Sequence, residues 1–220
     1  MILYIYCAGG FGKEVKDIAS RLIITGADWE SVIFVDDTVG DSERYGCPVT
    51  SFDRLLSSDA LSSGRFVIAN GEPRAREKLY SRLESAGAQF ASILDSSSLI
   101  SPTAELARGV IVAPLCSISS CALLSENSSV NTMSIIGHDV IVGRHAVVSS
   151  MVNLGGGCVV GESSYVGMGA LVKEGLRIGA NTIIGMGSVV YDNIPDGVIA
   201  LGNPARVVRK NVDQTVFRKN

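Results

Sequence analysis

A six-residue period governs the hydrophobic pattern in the second half of this chain. An α-helix repeats about every 3.6 residues and a strand about every 2, so neither explains the spacing. A solenoid of short strands does explain it, because each flat face sends one large aliphatic side chain inside. Positions spaced six apart carry only Ile, Leu or Val without a break: Ile100, Leu106, Val112, Ile118, Leu124, Val130, Ile136, Val142, Val148, Leu154, Val160, Val166, Val172, Ile178, Ile184 and Val190.

A second set of small or β-branched residues lies four places after each aliphatic, and we expect it to point inward as well. Its members are Ala104, Val110, Cys116, Ala122, Ser128, Ser134, Val140, Ala146, Val152, Cys158, Ser164, Ala170, Thr182 and Ser188. Glycine recurs one place after the aliphatic, as at Gly137 and Gly155, where we expect a corner with positive φ. This hexapeptide repeat predicts a left-handed parallel β-helix, since an ordinary parallel sheet needs crossover helices that the repeat cannot hold.

The first part of the chain has the pattern of a small βαβ unit. Apolar runs at 2–6, 32–35 and 66–69 predict strands, and amphipathic segments after Gly12 and from Pro73 to about residue 83 predict helices. We therefore expect an α/β Rossmann-like domain at 1–94, a left-handed β-helix at 95–195 and a C-terminal cap segment at 196–220.

The turn after the first predicted strand is a candidate phosphate site. Gly9, Gly10 and Gly12 let backbone N–H groups approach a phosphate at a helix N-terminus. Cys7 occupies the first glycine place of the dinucleotide-binding pattern, and a tight turn without a ligand is the alternative explanation.

Polar residues end the next two predicted strands: Asp36, Asp37 and Asn70. Asp36 and Asp37 are candidates for hydrogen bonds to a base or ribose, or else they form a solvated turn. About 95 residues is short for a complete NAD-binding fold, which favours a mononucleotide-type ligand.

Composition narrows the function further. The net charge of −3 argues against a general nucleic-acid surface. The five cysteines are odd in number and lack metal spacing, so we expect reduced thiols and no metal site. No signal peptide or membrane-spanning run is evident, and a cytoplasmic location is expected.

Five segments of the chain resemble bacterial sugar acyltransferases that join a small Rossmann-like domain to a left-handed β-helix. These enzymes are the UDP-amino-sugar N-acetyltransferases of glycan and O-antigen biosynthesis and their sialic-acid O-acetyltransferase relatives. The segments follow the family's order: YIYCAGGFG at 4–12, FVDD at 34–37, ISPTA at 100–104, NT at 131–132 with IGHD at 136–139, and GNPAR at 202–206.

The resemblance implies a homotrimer that binds acetyl-CoA between adjacent β-helices and uses a histidine as base. It identifies His138 as that base, Asp139 as its neighbour, and Gly156 as the residue whose N–H meets the acetyl carbonyl. Other implied contacts are Met168 and Met186 with the pantetheine arm, Asn203 and Arg206 with the adenine end of CoA, and Gly10, Phe11, Gly12, Asp36, Asp37 and Asn70 with a sugar nucleotide.

This sequence departs from the family at three positions. Phe11 stands where many relatives have His, Gly137 where some have Glu, and Val147 where some have a second His. His145 is two positions away from that register, so the role of the second histidine is not transferred to it.

The residues themselves support acyl transfer. Imidazole ordinarily titrates near neutral pH, as a base must when an amine or hydroxyl attacks a thioester. A glycine-turn N–H stabilises the developing oxyanion. We expect direct attack without an acyl-enzyme, because Cys158 occupies an inward place and is therefore an inert thiol.

Two further features bear on the ligands. No insertion interrupts the repeat to cover an acceptor, so we expect the N-terminal domain to hold it. The basic C-terminal residues are either a solvated cap or contacts for CoA phosphates: Arg206, Arg209, Lys210, Arg218 and Lys219.

Four functions are compatible with these features. The favoured one is an acetyl-CoA-dependent N-acetyltransferase acting on a nucleotide-linked amino sugar of the 4-amino-4,6-dideoxy type. The second is an O-acetyltransferase acting on a sialic acid or another sugar hydroxyl. A hydroxyl is a weaker nucleophile than an amine and needs a stronger base, and Gly137, where some relatives have an acid, argues against a strengthened His138. A scaffold with an inactive fold is disfavoured by the intact His138, and an NAD-dependent enzyme by the short N-terminal domain.

Overall fold

A computed structural model describes residues 1–40 and 42–217, and it begins with a five-stranded sheet flanked by helices. The elements are β1 (Ile2–Tyr6), α1 (Gly10–Ile24), β2 (Ser31–Val35), β3 (Ser42–Arg44), β4 (Cys47–Thr50), α2 (Phe52–Leu56), α3 (Ala60–Ser63), β5 (Arg65–Ile68) and α4 (Pro73–Ser85). The sheet order is β3-β4-β2-β1-β5, and only β3 runs antiparallel to its neighbour. The three predicted strands and two predicted helices are present, whereas β3, β4, α2 and α3 were not predicted because such short elements show no clear period.

The rest of the chain is a solenoid of three parallel sheets, which we call faces 1, 2 and 3. Face 1 contains β6 (Ile93–Leu94), β9 (Ile111–Val112), β12 (Ser129–Val130), β15 (Val147–Val148), β18 (Tyr165–Val166), β21 (Ile183–Ile184), β23 (Val198–Leu201) and β24 (Arg206–Lys210). Face 2 contains β7 (Leu99–Ile100), β10 (Ser117–Ile118), β13 (Ile135–Ile136), β16 (Asn153–Leu154), β19 (Leu171–Val172) and β22 (Val189–Val190). Face 3 contains β8 (Glu105–Leu106), β11 (Leu123–Leu124), β14 (Ile141–Val142), β17 (Val159–Val160) and β20 (Arg177–Ile178).

The interior of the solenoid is built from the two predicted inward sets. From Val112 to Val190 every aliphatic of the six-residue series is at most 5% exposed. The second set is buried from Val110 onward, and its side chains fill the same interior. The β-helix predicted from the period is therefore confirmed.

The predicted reason for the recurring glycines is wrong. Gly137 and its equivalents do not have positive φ; that conformation lies two places later, as at Asp139 with φ 59°. A Cβ on Gly137 would lie 2.7 Å from the Gly156 nitrogen and 2.8 Å from the Leu154 oxygen. Glycine is favoured there because a Cβ would force the backbone of the next coil to shift.

Three edges separate the faces, each a column of turns. The Asn127 edge comprises 108–109, 126–127, 144–145, 162–163 and 180–181; the Met edge comprises 114–115, 132–133, 150–151, 168–169 and 186–187; the His138 edge comprises 102–103, 120–121, 138–139, 156–157 and 174–175. Face 1 lies between the Asn127 edge and the Met edge. The His138 edge is opposite face 1.

The N-terminal sheet and its helices dock on face 1. Ile111 and Ala113 point out of the solenoid and are buried in one apolar cluster with Val15 and Ile18 of α1. Helix α4 borders the Asn127 edge, where Arg76 meets Asn127. Burial of face 1 thus orients the N-terminal sheet relative to the β-helix.

The solenoid tightens at its C-terminal end instead of stopping at Pro195. Earlier strands pair with partners eighteen residues on, as Ile135 does with Asn153. Ile183 pairs with Ile199, only sixteen residues on, and β24 then folds back antiparallel to β23. Among the described residues, no helix combines the length and apolar character needed to cross a membrane.

Candidate active site

His138 and Gly156 lie one coil apart on the His138 edge. The His138 Nδ1 is 2.7 Å from Asp139 Oδ2, and the two side chains are 71% and 64% exposed. Because a carboxylate only accepts hydrogen bonds, this contact favours the tautomer of the neutral ring that has its proton on Nδ1 and its lone pair on Nε2. The ring covers the Gly156 Cα so closely that a Cβ there would lie 2.5 Å from the ring Cε1. A proton acceptor therefore stands directly over the glycine turn.

The Gly156 N–H is available to a ligand. The flanking N–H groups of Gly155 and Gly157 donate to Val172 and His138 carbonyls at 2.9 and 2.8 Å, whereas that of Gly156 donates to no acceptor among the described residues. A fixed N–H of this kind, beside a base, is the arrangement that stabilises an oxyanion during addition to a carbonyl.

The second histidine has a different environment. His145 is only 6% exposed, on the Asn127 edge, and its Nδ1 is 3.0 Å from Asn127 Nδ2. Burial, reinforced by the positive charge of Arg144, lowers the pKa of His145 to about 4. The ring is therefore neutral at pH 7 and enclosed at the domain junction, away from His138.

The glycine-rich turn, Asp36 and Asn70 meet at the carboxyl ends of β1, β2 and β5, which we call the carboxyl edge. Asp36 Oδ2 accepts from the Ala8 N–H at 2.9 Å, and Asn70 Nδ2 is 3.4 Å from Cys7 Sγ. The strand order reverses between β1 and β5, and α/β sheets bind ligands at such a reversal. The structure thus brings Asp36, Asn70 and the glycine-rich turn together at this reversal.

The turn itself depends on close packing. Gly12 is buried, and a Cβ there would collide with the Cys7 carbonyl oxygen and lie 3.4 Å from the Phe34 ring. Cys7 adopts φ 82°, so this place keeps the left-handed conformation that favours glycine. Gly10 is exposed as the first residue of α1, where the helix dipole favours an anion.

Phe11 faces the junction between the two parts of the molecule. Its half-buried ring lines a cavity of about 180 Å³ together with Arg21 of α1 and with Pro114 and Thr132 of the Met edge. The aromatic side chain that replaces the family's histidine thus fills space between α1 and the β-helix.

Asp36 and Asp37 already have partners within the chain. Asp37 accepts from Tyr6 Oη at 2.7 Å, from the Phe52 N–H at 2.9 Å and from Arg82 at 2.5 Å. Burial alone would raise the pKa of the Asp37 carboxyl, but these hydrogen bonds hold it below its ordinary value. Neither Tyr6 nor Arg82 was predicted, because nothing in the sequence links three residues so far apart.

The residues predicted to contact CoA lie elsewhere on the β-helix. Met168 and Met186 are 48% and 75% exposed on the Met edge. Arg206 is paired with Asp192 at 3.6 Å, and Asn203 is exposed before Pro204. Arg218 and Lys219 lie outside the described residues.

One chain does not bring the carboxyl edge and His138 together. The N-terminal domain forms its hydrogen bonds and ion pairs with Asp95 beside the Met edge, with Asn127 and Ser163 on the Asn127 edge, and with the C-terminal segment. The His138 edge lies across the solenoid from these contacts. A site that uses both groups needs two chains.

A family model and solved structures of similar proteins point to the same family. Residues 2–83 match the family model described as the PglD N-terminal domain. A mutant of perosamine N-acetyltransferase from Caulobacter crescentus, in complex with CoA and GDP-perosamine, is 29% identical with a TM-score of 0.87, and the match covers 94% of this chain and 96% of that one.

Two further solved structures agree over nearly their whole length. The acetyltransferase domain of PglB from Neisseria gonorrhoeae, in complex with acetyl coenzyme A, is 27% identical with a TM-score of 0.88, covering 94% of this chain and 98% of that one. WeeI from Acinetobacter baumannii AYE is 30% identical with a TM-score of 0.88, covering 94% of this chain and all 100% of its own. The family predicted from five sequence segments is confirmed: this chain belongs to the bacterial sugar acetyltransferases of the left-handed β-helix family.

Proposed function

We propose that this protein transfers acetyl from acetyl-CoA to the amine of a nucleotide-linked 4-amino-4,6-dideoxy sugar, by direct attack with His138 as general base. The observation that carries the proposal is the Nε2 of His138 lying against the Cα of Gly156, whose own N–H has no acceptor among the described residues. The two groups supply a proton acceptor and a hydrogen-bond donor for the oxyanion on adjacent coils of the β-helix.

The chemical steps of the proposed reaction use these two groups and Asp139. The amine nitrogen attacks the acetyl carbonyl carbon, whose oxygen becomes an oxyanion facing the Gly156 N–H. The amine gives a proton to His138 Nε2, and Asp139 stabilises the imidazolium through Nδ1. Collapse of the tetrahedral intermediate breaks the carbon–sulfur bond, and the sulfur takes the proton from Nε2 of the imidazolium, so that CoA leaves as its thiol and His138 becomes neutral again. The burial of Cys158, which raises the pKa of its thiol, fits a reaction without an acyl-enzyme.

We assign the acceptor to the carboxyl edge. The exposed Gly9 and Gly10 at the start of α1 suit a diphosphate, and Asp36, Asp37 and Asn70 lie at the same edge of the sheet. The similar perosamine N-acetyltransferase from Caulobacter crescentus was crystallised with CoA and GDP-perosamine, which supports a nucleotide-linked amino sugar as the acceptor class.

A homotrimer completes the site in this proposal. The Met edge presents a continuous ridge of exposed apolar side chains: Leu115, Met133, Met151, Met168 and Met186, each 48–75% exposed. A ridge of this length on a folded chain marks an interface. Packing it beside the His138 edge of a neighbour would place Met168 and Met186 along a groove with His138 and Gly156, while the N-terminal domain of one chain approaches the base of another.

The test is thiol release from acetyl-CoA with three acceptor sets: UDP-4-amino sugars, GDP-4-amino sugars and free sialic acids. We expect turnover with one amino-sugar nucleotide and a loss of about 10²–10⁴-fold in kcat for His138→Ala. Asp139→Asn serves as the milder variant, because it keeps the side-chain shape but weakens the bond to Nδ1. Turnover on sialic acid alone would move the protein to the O-acetyltransferases, and an undiminished rate in His138→Ala would refute the assigned base.

A further inference from the structure

Arg76 of α4 is the largest fully buried side chain in the described part of the molecule, and the proposed chemistry does not use it. Its five N–H groups all donate to oxygens. Nε and Nη2 donate to the Asn127 carbonyl at 2.9 and 2.7 Å, and Nη2 also reaches Asn127 Oδ1 at 3.0 Å. Nη1 donates to the carbonyls of Ile68 and Asn70 at 2.6 and 3.1 Å.

These contacts join the two halves of the molecule at one point. Asn127 belongs to the β-helix and returns a hydrogen bond from its Nδ2 to the Arg76 carbonyl at 3.1 Å. Asn70 belongs to the carboxyl edge, where its side chain contacts Cys7 and the Glu72 N–H. Arg76 therefore links the carboxyl edge, beside the glycine-rich turn, to a fixed coil of the β-helix.

The charge of Arg76 has no anionic partner in the part of the chain that the structure describes. All its acceptors are neutral carbonyl or amide oxygens, and no carboxylate among the described residues lies within ion-pair distance. A buried charge without a counter-charge is costly even when its hydrogen bonds are complete. An anion bound at the neighbouring glycine-rich turn would reduce that cost.

We infer that Arg76 is a positioning residue for the acceptor: it fixes the carboxyl edge on the β-helix, and its uncompensated charge favours a diphosphate at the Gly9–Gly10 turn. This inference rests on the proposed function, since it takes a nucleoside diphosphate group as the anion. Lys cannot replace Arg here, because a single ammonium cannot donate to Asn127 and Asn70 in the same planar fork.

The experiment compares the wild type with Arg76→Lys, Arg76→Met and the control Arg108→Met. Arg108 is half exposed and pairs with Glu84 across the same junction, so its loss loosens the junction without touching Asn70. The first measurement is the rise in melting temperature caused by UDP or GDP alone. The second is the separate KM values for the sugar nucleotide and for acetyl-CoA.

We expect Arg76→Met to lose the nucleotide-dependent rise and about 10²-fold in kcat/KM for the sugar nucleotide, with the KM for acetyl-CoA unchanged. Arg76→Lys should keep part of the rise in melting temperature but not the wild-type kcat/KM for the sugar nucleotide. This variant serves as the test if Arg76→Met does not fold. Arg108→Met should keep both. If both Arg76 variants keep the nucleotide-dependent rise in melting temperature and the wild-type KM for the sugar nucleotide, the inference about Arg76 is wrong and the proposed function stands. If UDP and GDP do not raise the melting temperature of the wild type, both the inference and the proposed acceptor class are wrong.

Discussion

Replacing Gly156 by alanine should sharply lower the rate of catalysis while leaving the fold intact. The new Cβ would lie 2.5 Å from Cε1 and 2.9 Å from Cδ2 of the His138 ring, where ordinary contacts begin at 3.4 Å. The ring must therefore move by about 1 Å, and a misplacement of that size costs about 10²-fold in rate, or about 2.7 kcal/mol of transition-state stabilisation. Because His138 is largely exposed, its displacement should cost little stability.

The assay is thiol release at saturating acetyl-CoA, with the melting temperature measured in parallel. We expect kcat of Gly156→Ala to fall about 10²-fold at an unchanged melting temperature, and the same substitution to add nothing further in a His138→Ala background. Gly155→Ala is the matched control, because its Cβ would meet the Glu174 backbone at 2.6 Å and should instead lower the melting temperature. Full activity in Gly156→Ala would refute the proposal that His138 acts as the base from its position against Gly156.

Three other predictions test the assembly, the domain junction and the turn. Met133→Glu with Met151→Glu should convert the proposed trimer to a folded, inactive monomer, measured by light scattering, because charge is then added to the exposed apolar Met edge; a persisting trimer would contradict this. Burial lowers the pKa of His145 from 6.5 to about 4, so the unfolded chain binds the extra proton between these values and the free energy of unfolding should fall as pH drops through this window. His145→Asn should flatten that fall in urea titrations, and an equally steep fall would exclude His145 as its cause. Gly12→Ala should lower the free energy of unfolding by about 1–3 kcal/mol through its collision with the Cys7 carbonyl, whereas Gly9→Ala, with open space around it, should be close to neutral; equal effects would refute the packing argument.

The β-helix could be predicted because its determinants are local and repeated. Each coil buries the same two kinds of position, so an unbroken series from Ile100 to Val190 leaves one architecture. The role of the recurring glycines could not be predicted in the same way. A Cβ on Gly137 would collide with the Gly156 backbone one coil away, and sequence spacing does not reveal how closely two coils approach.

The candidate site shows the same division. His138 and its neighbour Asp139 could be selected from residue type, spacing and family resemblance, and the structure shows that their side chains meet. The ring of His138 over Gly156 follows from the eighteen-residue coil. The partners of Asp37 and the buried Arg76 could not be foreseen, because they join residues that only the folded sheet and its docking on face 1 bring together.

The sequence by itself determined the solenoid, the βαβ order of the N-terminal part and the residue types available for acyl transfer, because periodicity and turn chemistry act over short stretches of chain. Only the tertiary structure decided where the two parts lie. Burial of Ile111 and Ala113 against α1 docks the N-terminal sheet on face 1, opposite the edge that carries His138. That packing separates the proposed acceptor site at the carboxyl edge from His138 within one chain, and it is the physical reason for proposing that a second chain completes the site.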